Sequence, residues 1–215
     1  MKSYLLWVGS LCTPFFVSAF LIEGFTRPQY NWMRHPISSL SIGPLGWTQI
    51  VNFVITGTLV ALIGIGLRLA FTPHSRGSVF GPILLVAAGI GLIGAGIFVS
   101  DPVFGFPPDQ PLVLAQFSLH GHLHDLFSML WLLGLPAACC VLAVRFFTIG
   151  EPGWAVYSLL SGLGMIVFFV FASMGLLQRP GFVEVAGIFQ RLSATIGLSW
   201  ASLIAIHAAR ASEGT

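Results

Sequence analysis

Six consecutive residues, His120-Gly121-His122-Leu123-His124-Asp125, carry three of the chain's six histidines and one of its seven acids. An apolar stretch follows at once, Leu126 to Val144, broken by Ser128 and Pro136. Ionisable side chains at the mouth of a membrane-type helix are expensive to keep there, so they mark a functional site by default. On a helix, His120, His124 and Ser128 share one face, and Ser118, His122 and Asp125 share another. Two histidines four apart can grip one metal ion, a divalent metal such as zinc, if a third ligand comes from elsewhere. Asp101, Asp109, His35 and Glu23 are the available donors, and the expected metal set is His120, His124 and Asp101. His122 beside Asp125 is a carboxylate-oriented imidazole, which suits a general base. The expected catalytic group is His120, His122, His124 and Asp125, working with a metal or as a metal-free acid–base set. The plain alternative is that these histidines bond water and backbone carbonyls at the membrane interface.

A second constellation is Arg34-His35-Pro36-Ile37-Ser38-Ser39. Pro36 at a first helical position suits a short interfacial helix that aims Arg34 and His35 at an anionic head group. Ser39, Asn52 and Arg191 complete the expected substrate-binding set. The alternative for this segment is an amphipathic linker lying on the membrane. Arg191 could bind a phosphate or carboxylate ligand, or neutralise Asp101 or Glu23. Glu23 and Arg27, four apart, are expected to pair. His74 and His207 read as structural.

The elements that must position these groups are membrane helices. The 215 residues are 56% hydrophobic and 7% charged, and the mean hydropathy is +0.92. Soluble domains carry about 25% charged residues, so the solvent for most of this chain is lipid. Six runs reach the length a bilayer core needs: about 4–24, 47–71, 79–100, 121–146, 154–177 and 187–209. Period-2 alternation is absent, so the expected fold is all-α. It is a polytopic six-transmembrane-helix bundle in one domain, residues 1–215. Loop Lys and Arg counts, with the acidic 101–119 connection, place both termini in the cytoplasm and the protein in the cell membrane. The first run is signal-like near Val17-Ser18-Ala19 but continues to Ile22, so it reads as an uncleaved span. Cys12, Cys139 and Cys140 read as small apolar residues. The glycines of the third run (Gly81, Gly89, Gly91, Gly94 and Gly96) read as close-packing positions. The formal net charge of +2, with no basic run, gives no footprint for nucleic acid. Residues 106–111, Phe-Pro-Pro-Asp-Gln-Pro, should be stiff and extended.

Mapped onto six spans, the polar residues gather at the outer ends: Glu23, Gln49, Asn52, Thr56, Ser100, Asp101, the histidine cluster, Ser173, Gln178, Gln190 and Arg191. The inner ends offer Arg68, Arg145, His207 and Arg210, which can snorkel to the interface. That asymmetry implies an outward-facing polar cavity.

Arg34-His35-Pro36-Ile37-Ser38-Ser39-Leu40, Gly43-Pro44-Leu45-Gly46-Trp47, Asn52-Phe53, Asp101-Pro102, Gly105-Phe106-Pro107 and His120-Gly121 with Leu123-His124-Asp125 together resemble domain-of-unknown-function family 998. That family comprises bacterial and archaeal multi-pass membrane proteins. The resemblance runs from the first span to the last and implies a six-helix membrane protein with no assigned activity. The histidine–aspartate set is also similar to that of intramembrane zinc hydrolases of the ceramidase and progestin-receptor type. Those have seven helices and a late pair of histidines, where this chain has only His207, at the opposite end. The expected function is a membrane enzyme acting on a lipid or lipid-linked substrate. The alternatives are a small-solute or proton-coupled binding or transport protein, and an accessory structural subunit with an unspecified protein partner.

Overall fold

A computed structural model describes residues 1–71, 79–112 and 116–213. The 72–78 connection, with His74 and Arg76, and residues 113–115 lie outside the described residues. Among the described residues seven α-helices follow in order: α1 (Lys2–Gly9), α2 (Cys12–Thr26), α3 (Gly46–Ala70), α4 (Phe80–Ile97), α5 (Leu119–Thr148), α6 (Pro152–Leu176) and α7 (Ala186–Glu213). Six helical segments are long and apolar enough to cross a membrane, with α1 and α2 forming one of them. The expected spans agree with these to within a few residues.

The break between α1 and α2 has a local cause. Pro14 has no N–H to offer the Ser10 carbonyl, and its ring crowds that oxygen. The chain slips into a turn at Ser10 and Leu11, where Leu11 N–H bonds Val8 O at 3.2 Å, and resumes the same direction of travel.

Sequential helices are neighbours: α3 packs on α4, α4 on α5, α5 on α6 and α6 on α7. The ring closes because α1 packs on both α3 and α7. Its first and last helices are also pinned end to end, since Ser3 Oγ and Trp7 Nε1 both donate to Glu213 Oε1, at 2.6 and 2.8 Å. Nearer the middle, Thr13 and Cys12 meet the Ser202 hydroxyl at 2.7 and 3.2 Å. Trp200 is fully buried and spends its indole N–H on Ser158 Oγ at 2.9 Å.

The glycines of α4 act as the sequence suggests. A Cβ on Gly89 would press on the Gly57 carbonyl of α3, and one on Gly91 would press on the Trp131 N–H of α5. Small residues on two sides of α4 let both neighbours approach backbone to backbone. Cys12 and Cys139 are buried, Cys140 is exposed, and all three are free thiols.

The connection from α2 to α3 folds into one end of the ring. Residues Ile37–Ser41 form a single 3-10 helix. Pro36 caps this turn in an extended conformation, at ψ 154°, one position before the first helical residue where it was expected. The connection from α4 to α5 departs from the expected stiff extended form. It folds back on itself, with Phe104 N–H bonding Leu112 O at 3.1 Å and Gln110 N–H bonding Pro107 O at 3.2 Å. Positive φ at Phe104, Gly105 and Asp109 makes these reversals.

Candidate functional site

The site is built where α5 begins. Ser118 caps the helix by accepting from Gly121 N–H at 2.9 Å. Asp101, arriving from the end of α4, adds a second cap: its Oδ2 accepts from Ser118 N–H at 2.8 Å. A carboxylate is favoured beside the free N–H groups of a helix start. It lies so close to Gly121 that any Cβ there would collide with it. This explains the glycine inside the histidine motif and gives Asp101 its position.

One turn further, His124 turns inward and is 4% exposed. Its Nδ1 lies 2.8 Å from both Ala95 O and Phe98 O. These carbonyls belong to the last turn of α4, where no further helical N–H reaches them. Carbonyl oxygens only accept, so Nδ1 carries the hydrogen and, in the neutral ring, Nε2 keeps its lone pair. Among the described residues, every side-chain hydrogen bond of His124 runs through Nδ1.

His124 borders two voids. The larger, about 270 Å³, is lined by Asp101, His124, Asp125, Ser128, Ser173 and Gln190 as its polar wall. Met129, Leu132, Phe169 and Leu176 form the apolar wall. Met129 of α5 and Leu176 of α6 are themselves exposed on the outside of the ring. A smaller void of about 60 Å³ lies against Trp131 and Phe53 and shares His124, Ser128, Leu132 and Gln190 with the first. Gln190 is oriented by a fixed donor: Ile37 N–H gives a 2.6 Å bond to its Oε1. An amide N–H can only donate, so the oxygen faces Ile37 and the NH2 group is the free end of this cavity-lining side chain.

The expected catalytic residues separate. His124 and Asp125 line the cavity. His120 and His122 are exposed and rest against the Phe98 and Phe117 rings, at centroid distances of 5.7 and 6.0 Å. His122 and Asp125 do not form a hydrogen-bonded pair. The expected metal set fails on geometry. Among the described residues no three His, Cys, Asp or Glu side chains are grouped closely enough to hold an ion. His124 Nδ1 is committed to the end of α4, Asp101 is committed to the start of α5, and His120 is exposed against the Phe98 ring.

None of the expected substrate-binding residues lines the cavity, and Arg191, Arg34, His35 and Asn52 have other partners. Arg191, 7% exposed, donates from Nη1 to His35 O (3.0 Å) and Gly187 O (2.9 Å), and from Nη2 to Tyr30 Oη (2.6 Å). It neutralises neither Asp101 nor Glu23; carbonyl and phenol oxygens surround it instead. Arg34 pairs with Glu184 at 3.4 Å. His35 is 5% exposed, and its Nδ1 accepts from Asn31 N–H at 3.0 Å. Asn52 donates to Gln49 Oε1 (3.1 Å) and Phe16 O (3.4 Å), tying α3 to α2. Ser39, in the connection itself, is fully buried, and its Oγ has no hydrogen-bond partner among the described residues. Arg191, Arg34 and His35 fasten the 27–45 segment over the end of the ring. Glu23 and Arg27 pair as expected, at 3.3 Å.

Sequence reasoning placed Ser128 on the His124 face and Ser173 and Gln190 among the polar outer ends, but named none of them in the expected site. Ser128 was visible on the His124 face. Gln190 was not, because the contact that orients it spans 153 residues of sequence.

The family model described as "Protein of unknown function (DUF998)" matches residues 10–207. The chain belongs to this family. Its matched region takes in the start of α5, the Asp101 cap and the residues around the cavity. No curated protein and no solved structure matches the chain.

Proposed function

We propose that this member of the family is a membrane enzyme of hydrolase type, acting on a lipid or lipid-linked substrate in the cavity beside His124. One observation carries the reading: a buried imidazole, fixed through Nδ1, borders a void whose opposite wall is apolar and reaches the lipid-facing surfaces of α5 and α6. His124 Nε2 is placed to accept a proton from water or from a substrate hydroxyl. The Ala95 and Phe98 carbonyls hold the tautomer and would stabilise the imidazolium that forms. The Gln190 amide is the donor for a carbonyl or phosphoryl oxygen on which charge develops. Met129, Leu132, Phe169 and Leu176 receive the apolar part of the substrate. With both termini in the cytoplasm, as the loop cations favour, the cavity opens on the outer side.

His124→Asn tests this directly. The asparagine amide keeps a donor near the Nδ1 position, so α4 stays capped, but it cannot accept a proton as Nε2 does. Turnover should fall by about 10²-fold or more while the unfolding temperature holds. The readout is the total lipid profile of membranes expressing the wild-type chain or the variant, by mass spectrometry. Profiles identical to those of membranes lacking the chain would sink the reading.

A further inference from the structure

The cavity beside His124 has acids on its wall and, among the described residues, no Lys or Arg: Asp101 and Asp125 both line it. The arginines of the same end are engaged elsewhere or stand apart. Arg27 pairs with Glu23, Arg34 pairs with Glu184, and Arg191 donates to carbonyl and phenol oxygens. Arg179, past the end of α6, does not line the cavity. The two acids differ in what they can still offer. Asp101 gives its Oδ2 to the Ser118 N–H. Asp125 sits in the second turn of α5, beyond the free N–H groups of the helix start. Among the described residues no hydrogen bond or salt bridge engages its carboxylate. Beside it stands the buried His124, whose Nε2 is also without a partner. Asp125, Met129 and Leu132 then follow one another at i, i+4 and i+7 down one face of α5, all on the cavity wall. This stripe starts at a carboxylate and runs on as apolar surface for about 10 Å of helix rise.

We propose that this cavity selects an amphiphile with a cationic amine head, and that Asp125 is the residue that selects it. The proposal rests on the reading of the cavity as a lipid-substrate site and names the substrate class. An ammonium donates charge-assisted hydrogen bonds to a carboxylate that has no other donor. A phosphate or carboxylate head would lie against two acids with no guanidinium to pair with, and like charges brought together oppose binding and so reject the wrong ligand. The apolar wall decides between a lipid amine and a small free one. Met129 and Leu176 are 38% and 45% exposed on the outside of the ring, so a tail reaches the stripe below Asp125 without leaving the bilayer. A free amine meets the carboxylate and leaves that stripe without a partner. The same charge narrows the reacting group: of the two oxygens the Gln190 amide could serve, an acyl carbonyl suits this cavity and an anionic phosphoryl does not.

The test is native mass spectrometry of the full chain in neutral detergent micelles doped equally with octadecylamine, octadecanol and octadecanoate, which share a tail and differ in the head. Wild type should retain the amine most and the carboxylate least, with the amine about fivefold ahead of the alcohol. Asp125→Asn keeps the shape and removes the charge, and should bring the amine down to the level of the alcohol. Asp125→Lys should place the carboxylate ahead of the amine. Both variants change a side chain that holds no bond within the fold, and an unshifted unfolding temperature shows that the bundle is intact. Equal retention of the three heads by wild type, or an amine preference unchanged in Asp125→Asn, overturns the proposal. Release of octadecylamine by an equal concentration of methylammonium would show that the head alone is recognised and overturn the assignment to an amphiphile. None of these readings needs turnover. An amine preference alongside lipid profiles that His124→Asn leaves unchanged would keep the selectivity and remove the hydrolase; altered profiles without the preference would do the reverse.

Discussion

Gly121 and Asp101 form a lock that neither residue could make alone. The carboxylate reaches the start of α5 only because residue 121 has no side chain. Gly121→Ala should therefore push Asp101 off Ser118 N–H and lower stability by about 1–3 kcal/mol, the usual cost of overpacking a tight contact. Thermal unfolding in detergent measures it, and an unshifted transition would mean that Asp101 has room to move. The same scale shows what could be read beforehand. Helical spacing of four joined His124 to Ser128, and both line the cavity. It joined His120 to them as well, and there it misled, because His120 sits in the first turn, where the helix has left the bundle's cover. The partners that hold His124, the Ala95 and Phe98 carbonyls, are backbone atoms of another helix. No residue type announces them, so the histidine was legible and its tautomer was not.

Among the elements, the 27–45 connection differs most from its expected role. It was read as a surface device that reaches for head groups; it is a plug held from inside by Arg191, Tyr30 and Gln190. Arginine beside histidine at a membrane boundary has the same composition in either role, and only the long-range bonds to α7 separate them. His35 is part of that plug. Burial holds its imidazole below the ordinary value of 6.5, with the charges of Arg34 and Arg191 adding to the effect and a bond to the Phe104 backbone opposing it. Its Nδ1 must stay bare to accept from Asn31 N–H. The unfolded chain takes up a proton here as pH falls through about 6.5, while the folded chain resists until lower pH. Stability from this residue is thus full above that value and declines below it. Unfolding temperatures should fall between neutral pH and pH 5, and His35→Gln should flatten that slope. An equally steep slope in the variant would assign the acid sensitivity to other groups.

For the whole molecule, hydropathy alone was enough to set out six spans and an all-α fold, because lipid leaves the backbone few other choices. Helix count also fixes a parity: six crossings return the chain to the side where it began. Reporter fusions at the 149–151 turn and after residue 213 should give the same cytoplasmic signal, and one in the 107–112 segment the opposite signal. A cytoplasmic reading at 107–112 would invert the topology proposed above. Ring closure was less legible than span count, since it rests on single side chains far apart in sequence, such as Ser3 and Trp7 on Glu213.

The position of α7 in that ring bears on how the molecule is made. The bonds of Thr13, Ser158, Ile37 and Tyr30 described above all wait for residues between Gln190 and Ser202. Until the last span is present these bonds to α7 are missing, although Ser158 still has Trp154 O, Tyr30 still has Pro36 O, and Ser100 still reaches Ser38 O in the plug. The final helix therefore closes the ring: α3, α4 and α5 pack on one another without it, while the joint with α1 and α2 is completed only when it arrives. A chain lacking α7 should therefore keep its helix pairs but lose the bonds of Tyr30 and Ile37 to α7, and with them part of the hold on its outer segment.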